Sequence, residues 1–314
     1  MIEALEFWNE PNNLSHWNHR LDPEWQAFSA MLVDAASASR ELAPGLTRVL
    51  GGICPIDPAF IARLECSGAL DLIDAVGIHG FPIDWDCWPI DEWPDRIREI
   101  RAVTDRPLWA TEVGTSSMGA EFVQAFGLSR TLELLPPHVE RLFWYSLLDL
   151  PLDWPPTIAA HEPDYGSNYR RHFHMGLVRA DGRPKPAAAL FDPARLGICQ
   201  WFHWHDRRLD EAVRWLRALQ IRRVRTCISW ADWHRPGNHA WFDLMMSRLA
   251  EFELTLILCF TPPSRGVQAE ASSPPRDIRE FGWFTREIIE RYYLRPMGRP
   301  SRLEAPPSVS PVPQ

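Results

Sequence analysis

With 314 residues, 46% of them hydrophobic and 24% charged, the chain can bury a sizeable core in one large barrel or two ordinary domains. Thirty-three basic residues against 41 acidic ones leave a formal charge of −8, which argues against a nucleic acid or an anionic membrane as partner. No run approaches the ~18 consecutive apolar residues of a membrane span. Behind Met1 there is neither a positively charged n-region nor an apolar h-region, and the six cysteines are dispersed without a CxxC pair. Both features lead to the expectation of a cytoplasmic protein with reduced thiols. The 16 tryptophans offer large flat faces suited either to filling a core or to stacking on sugar rings.

In chain order, short apolar runs alternate with amphipathic stretches of helical length, the pattern of repeated βα units. The runs at 2–8, 48–53, 74–79, 107–112, 141–146, 197–202, 222–228 and 254–260 read as strands. Helical periodicity occupies 23–42, 58–67, 91–103, 119–135, 208–219, 240–252 and 275–293. Eight strands with intervening helices predict an α/β fold, a (β/α)8 barrel over residues 1–293. The connection 147–183 is long and holds aromatic residues, histidines and glycines, as functional loops do. Residues 296–314 are rich in proline and serine without periodicity, and are expected to be a disordered tail.

Two of the strands end on glutamate. "LEFWNEPN" places Asn9 and Glu10 where Pro11 stops the run, and "PLWATEVG" places Glu112 just before Gly114. A barrel enzyme builds its active site at the C-terminal ends of its strands, and glycoside hydrolysis needs two carboxyl groups flanking the scissile bond. "WNEP" and "TEVG" resemble the acid/base and nucleophile motifs of the large clan of retaining β-glycosidases. The overall likeness is greatest to bacterial β-xylosidases and family 39-like glycosidases.

The resemblance implies a double displacement on a glycoside or oligosaccharide, with Glu10 as acid/base and Glu112 as nucleophile, and with neither metal nor cofactor. "VGIHGFP" matches the clan's sixth-strand motif and makes His79 a contact of the catalytic pair. "LFWYS" matches the end of strand eight, which would make Trp144 the floor of the sugar subsite. Asn9 would bond the sugar 2-hydroxyl, Arg225 would hold Glu112 ionised and oriented, and Asn12 and Trp230 would line subsites. In the clan these motifs end strands four and seven, so the chain resembles a circular permutation that begins at strand four. Residues 1–192 would then supply strands four to eight, and 197–293 strands one to three. A domain-swapped dimer exchanging 197–293 stays open beside a barrel closed within one chain.

Two other readings compete. His172/His174 and His203/His205 form HxH pairs, the ligand spacing of metal-dependent barrel hydrolases. A carbohydrate-binding barrel without catalysis, acting in polysaccharide metabolism, would keep the same aromatic residues.

Overall fold

A computed structural model describes residues 1–152, 167–203 and 206–295. Eight parallel strands close a barrel within one chain: β1 Ile2–Phe7, β2 Thr47–Ile53, β3 Ala75–Gly80, β4 Leu108–Val113, β5 Arg141–Tyr145, β6 Gly197–Cys199, β7 Arg223–Ser229 and β8 Glu253–Cys259. Each strand pairs with the next, and β1 closes the ring on β8 through Ala4–Thr255, Leu5–Leu256 and their neighbours. The fold is the expected (β/α)8 barrel. The expected tail at 296–314 lies outside the described residues.

The helices that wrap it are α1 Gln26–Leu42, α2 Pro58–Cys66, α3 Trp93–Arg101, α4 Glu121–Leu134, α5 Ser167–His172, α6 Leu209–Ala218, α7 Trp230–Trp233, α8 Asn238–Leu249 and α9 Arg279–Ile289. Local chemistry sets their starts. The Asp57 carboxylate accepts from the amides of Ala59 and Phe60 while Pro58 occupies the first turn, where a missing N–H costs nothing. α1 begins three residues later than its periodicity predicts. Asp22 reaches forward to the amides of Ala27 and Phe28, and Trp25 takes a left-handed conformation between them. Between β5 and β6 the chain makes a 3₁₀ turn, Pro186–Leu190, against α4. No helix among the described residues is long and apolar enough to cross a membrane.

Alternation along each strand divides the apolar residues into two cores. Ala4, Val49, Ala75, Trp109, Phe143 and Cys199 fill the barrel interior, with Tyr145 and Trp201 packed on them. The larger core lies between strands and helices and takes Leu5, Phe7, Leu50, Val76, Leu142 and Trp144 from the opposite strand faces. Most tryptophans serve this outer layer. Trp8, Trp17, Trp93, Trp144, Trp230 and Trp233 are fully enclosed there. Cys54 and the cysteines of β6, β7 and β8 are buried free thiols, whereas Cys66 and Cys87 are exposed.

Two glycines on β2 bring the strands together under the site. A Cβ on Gly51 would overlap the carbonyl of Trp8, and one on Gly52 would overlap the His79 ring and the Thr111 hydroxyl. Overpacking of this kind costs about 1–3 kcal/mol. Gly52→Ala should therefore lower the unfolding free energy by about that amount in a urea titration. An unchanged midpoint would show that the interior has room there.

Candidate active site

The end of β1 is bent to deliver its carboxylate. Trp8 and Glu10 both adopt left-handed backbone conformations, φ 72° and 44°, which non-glycine residues take up only where surrounding contacts enforce them. Those contacts are visible. The Trp8 amide donates to Leu258 on β8, the Glu10 amide donates to Gly52 on β2, and the Trp8 indole N–H donates to the His16 carbonyl. The Trp8 ring beneath is packed edge-on by Trp17 and Phe281. The turn leaves Glu10 buried at the barrel mouth.

Three strands away, Glu112 comes from β4 into the same layer. One oxygen of each carboxylate and a ring nitrogen of His79 all lie within 4.8 Å of one another. His79 Nδ1 is 2.9 Å from Glu10 Oε1 and 3.9 Å from Glu112 Oε2. Its Nε2 faces an Arg225 N–H at 3.4 Å. A guanidinium can only donate, so Nε2 is the acceptor and Nδ1 carries the proton toward Glu10. Burial pushes the His79 pKa down to about 4 despite the opposing pull of Glu112, so the ring is neutral at pH 7.

Arg225, wholly buried on β7, joins the pieces. Its Nε and Nη2 meet Glu6 at 2.6 and 2.8 Å in a two-point pair, its Nη1 bonds Glu112, and its Nη2 also reaches Asn9 Oδ1 at 3.1 Å. Burial opposes the charge on Arg225. The carboxylates of Glu6 and Glu112 outweigh it and hold the guanidinium pKa well above its ordinary value. Glu6, also wholly buried on β1, has a further donor in the Gly52 amide at 2.9 Å. Glu112 takes two more partners from β6 and its end, the Trp201 indole N–H at 3.1 Å and the Cys199 thiol at 3.4 Å.

Of the residues singled out in the sequence, Asn9, Glu10, His79, Glu112 and Arg225 meet here. The others stand elsewhere. Trp144 is buried in the outer core, because its neighbours Phe143 and Tyr145 take the inward positions of β5. Trp230 is buried against Phe281 and Phe284 of α9, where the chain leaves β7 for α7. Asn12 spends its amide on the β2 loop, accepting from Cys54 and donating to Pro55. It is Asn13 that donates to Glu10, at 3.0 Å.

The histidine pairs do not assemble a metal centre among the described residues. Glu10, His79 and Glu112 are the one group there whose donor atoms converge, and none belongs to an HxH pair. The His172 ring stacks on Trp85, and the His174 carbonyl accepts from the Ser117 amide. His205 lies outside the described residues.

Glu6, Asn13, His16, Trp201 and Asp86 stand at or beside this candidate site, and the sequence did not single them out. Glu6 alone carried a signal: a glutamate at an inward position of an apolar strand needs a buried partner. Asp86, in the loop after β3, accepts from the Phe81 amide at 2.6 Å, and burial raises its pKa to about 6. Tyr145 meets Phe81 edge-on, and the Phe260 ring lies against both Trp201 and His16.

No protein-family model and no curated protein matches the chain. Among solved structures it is similar to a GH128 (subgroup II) endo-beta-1,3-glucanase from Sorangium cellulosum. The TM-score is 0.40 and the identity 18%, over 60% of this chain and 68% of that one. The barrel itself stands on the strand pairing described above.

Two outcomes follow from the electrostatics. In ¹⁵N NMR, His79 should remain neutral with the proton on Nδ1 down to about pH 4, and titration near 6.5 would contradict the geometry. The folded Asp86 pKa is raised to about 6, so its burial opposes folding above the unfolded carboxyl value, increasingly as pH rises toward 6. Asp86→Asn should therefore stabilise the protein by about 1–3 kcal/mol at pH 8 and by little at pH 4 in thermal melts. An equal gain at both would refute the linkage.

Proposed function

We propose that the chain is a retaining β-glycoside hydrolase, with Glu112 as nucleophile and Glu10 as general acid/base. The observation that carries this reading is the approach of the two carboxylates to within 4.8 Å, oxygen to oxygen, at the ends of β1 and β4. Retaining pairs stand ~5–5.5 Å apart, whereas inverting pairs need ~6.5–9.5 Å to admit a water between them. The unequal surroundings of the two groups support their roles. Glu112 is held by the Arg225 cation, an indole N–H and a thiol, so its lone pairs are aimed and its charge complemented. Glu10 is held by neutral donors, His79 and Asn13, with no cation bonded to it among these contacts.

In the first half-reaction, Glu112 attacks the anomeric carbon while Glu10 gives its proton to the departing oxygen. The sugar is then esterified to Glu112. In the second, Glu10 takes a proton from water, which attacks the same carbon and releases the sugar with its original configuration. Asn9, whose amide oxygen is committed to Arg225, offers its amide N–H to the 2-hydroxyl. Trp201 takes the subsite role that the sequence assigned to Trp144, since its indole both touches Glu112 and faces the mouth.

We also read the strand order as permuted, with β6 to β8 standing for the family's first three strands and β1 to β5 for its fourth to eighth. The β-xylosidase-like resemblance makes aryl β-xylosides and β-glucosides the first substrates to try.

Glu10→Gln should reduce hydrolysis of 4-nitrophenyl β-glycosides by about 10²–10⁴-fold, the usual contribution of a general acid. Glu112→Gln should bring it to background, and ¹H NMR of the first product should show the β-anomer. Full activity in either variant, or release of the α-anomer, would sink the proposal.

A further inference from the structure

We propose that His16 is a positioning residue for the proton that Glu10 transfers, a role that rests on the glycosidase reading above. The two oxygens of Glu10 have different neighbours. Oε1 faces His79 Nδ1 at 2.9 Å, and the Arg225 N–H opposite fixes that nitrogen as a donor. Oε1 is therefore an acceptor, and the transferable proton belongs on Oε2.

Oε2 has two neighbours from the loop that follows β1. Asn13 Nδ2 lies at 3.0 Å and His16 Nδ1 at 3.4 Å. The Asn13 amide cannot be turned over, because its Oδ1 already accepts from the Ser15 amide at 3.1 Å and the Ser15 hydroxyl at 2.9 Å. Asn13 is thus a donor in every state of the site. His16 is different. An imidazole nitrogen is a donor in one protonation state and an acceptor in another. Toward ionised Glu10 it presents N–H; toward protonated Glu10 it presents the lone pair that receives Oε2–H.

Ser15 completes a closed circuit. Its Oγ, whose hydrogen goes to Asn13, lies 2.9 Å from the same Nδ1 and accepts from it when that nitrogen carries a proton. Glu10, His16, Ser15 and Asn13 therefore form a ring of polar contacts in which His16 Nδ1 is the member facing Oε2 that can change from donor to acceptor. The ring is held in place from outside. The His16 carbonyl receives the Trp8 indole N–H, and the His16 ring stacks on Phe260 at 5.7 Å and 28°. His16 is 7% exposed, so the loop shields the proton from bulk water.

Other titratable groups surround Glu10. His79 comes from β3, Glu112 from β4, Tyr145 from the end of β5, and Cys54 and Asp86 from the loops after β2 and β3. The neutral His79 is fixed as a donor, and burial keeps Tyr145 and Cys54 protonated. The charge of Glu10 helps raise the Asp86 pKa, and a Glu112 oxygen lies within 4.8 Å of a Glu10 oxygen. Reversible hydrogen bonding to Oε2 falls to His16.

The test compares His16→Phe, which keeps a ring to stack on Phe260, with His16→Asn, whose side-chain amide stands near the place of Nδ1. Aryl β-glycosides are used whose leaving groups range from phenol to 2,4-dinitrophenol. The less acidic the leaving group, the more it depends on proton donation. His16→Phe is expected to lose about tenfold or more on the phenyl glycoside and less than about threefold on the dinitrophenyl one, with the alkaline limb of its pH–rate profile displaced. His16→Asn should recover part of the loss.

An equal loss on every leaving group with an unmoved profile would overturn the proposal, since that is what a merely structural residue does. A second readout needs no turnover. The ¹³C carboxyl resonance of Glu10, assigned with Glu10→Gln, should titrate at a different pH in folded His16→Phe than in the parent. Unchanged titration would overturn the His16 role. A parent chain inactive on every glycoside, but with the displaced titration, would instead overturn the glycosidase reading and leave the His16–Glu10 coupling in place.

Discussion

A single buried cation organises the interior of this barrel. Arg225 has no exposed surface, and its guanidinium is shared between Glu6 and Glu112, which come from strands on different sides of the ring. An arginine in such a place is tolerable only when its donors are matched by acceptors, and removing one partner of a buried pair leaves an uncompensated charge. The constraint works in both directions. The closed sheet brings β1, β4 and β7 around one point, and the ion network in turn fixes the distance between the β1 and β4 carboxylates.

The asymmetry of the site follows from this cation. One guanidinium faces three neighbouring carboxylates, and its direct contacts go to two of them, Glu6 and Glu112. Glu10 is left to neutral donors. The same hydrogen bond from Arg225 that touches His79 Nε2 also chooses the tautomer through which His79 meets Glu10. One charge thus divides two chemically identical side chains into different environments, the arrangement by which acid and base roles are separated in carboxylate pairs. Gly51 and Gly52 make room for it, since side chains there would collide with Trp8 and His79.

Much of this was legible in the residues. The alternation of apolar runs with helical periodicity is a local property, and it located eight strands to within a few positions. Glu10 and Glu112 were visible because each ends an apolar run beside a chain-turning residue, Pro11 or Gly114, which is how a strand end is marked. β6 was the least well read. The apolar pattern continues to Phe202, yet pairing stops at Cys199, because Gln200 turns to bind the Leu148 amide and Trp201 turns toward Glu112.

The errors share one cause. Trp144 and Trp230 belong to aromatic clusters near motif positions, and a sequence does not say which face of a strand looks inward. On β5 the difference of one residue sends Trp144 into the outer core and leaves Phe143 and Tyr145 inside. Asn12 and Asn13 differ in the same way, one bound to the β2 loop and the other to Glu10.

The sequence by itself determined the element order, the fold class and the placing of Glu10 and Glu112 at strand ends, since strand period, strand ends and turn residues are short-range signals. Tertiary structure alone decided that Glu6, His16 and Trp201 belong with them. These residues acquire partners at 219, 6 and 89 positions' remove, or across a reversed loop, and only closure of the barrel makes those contacts local.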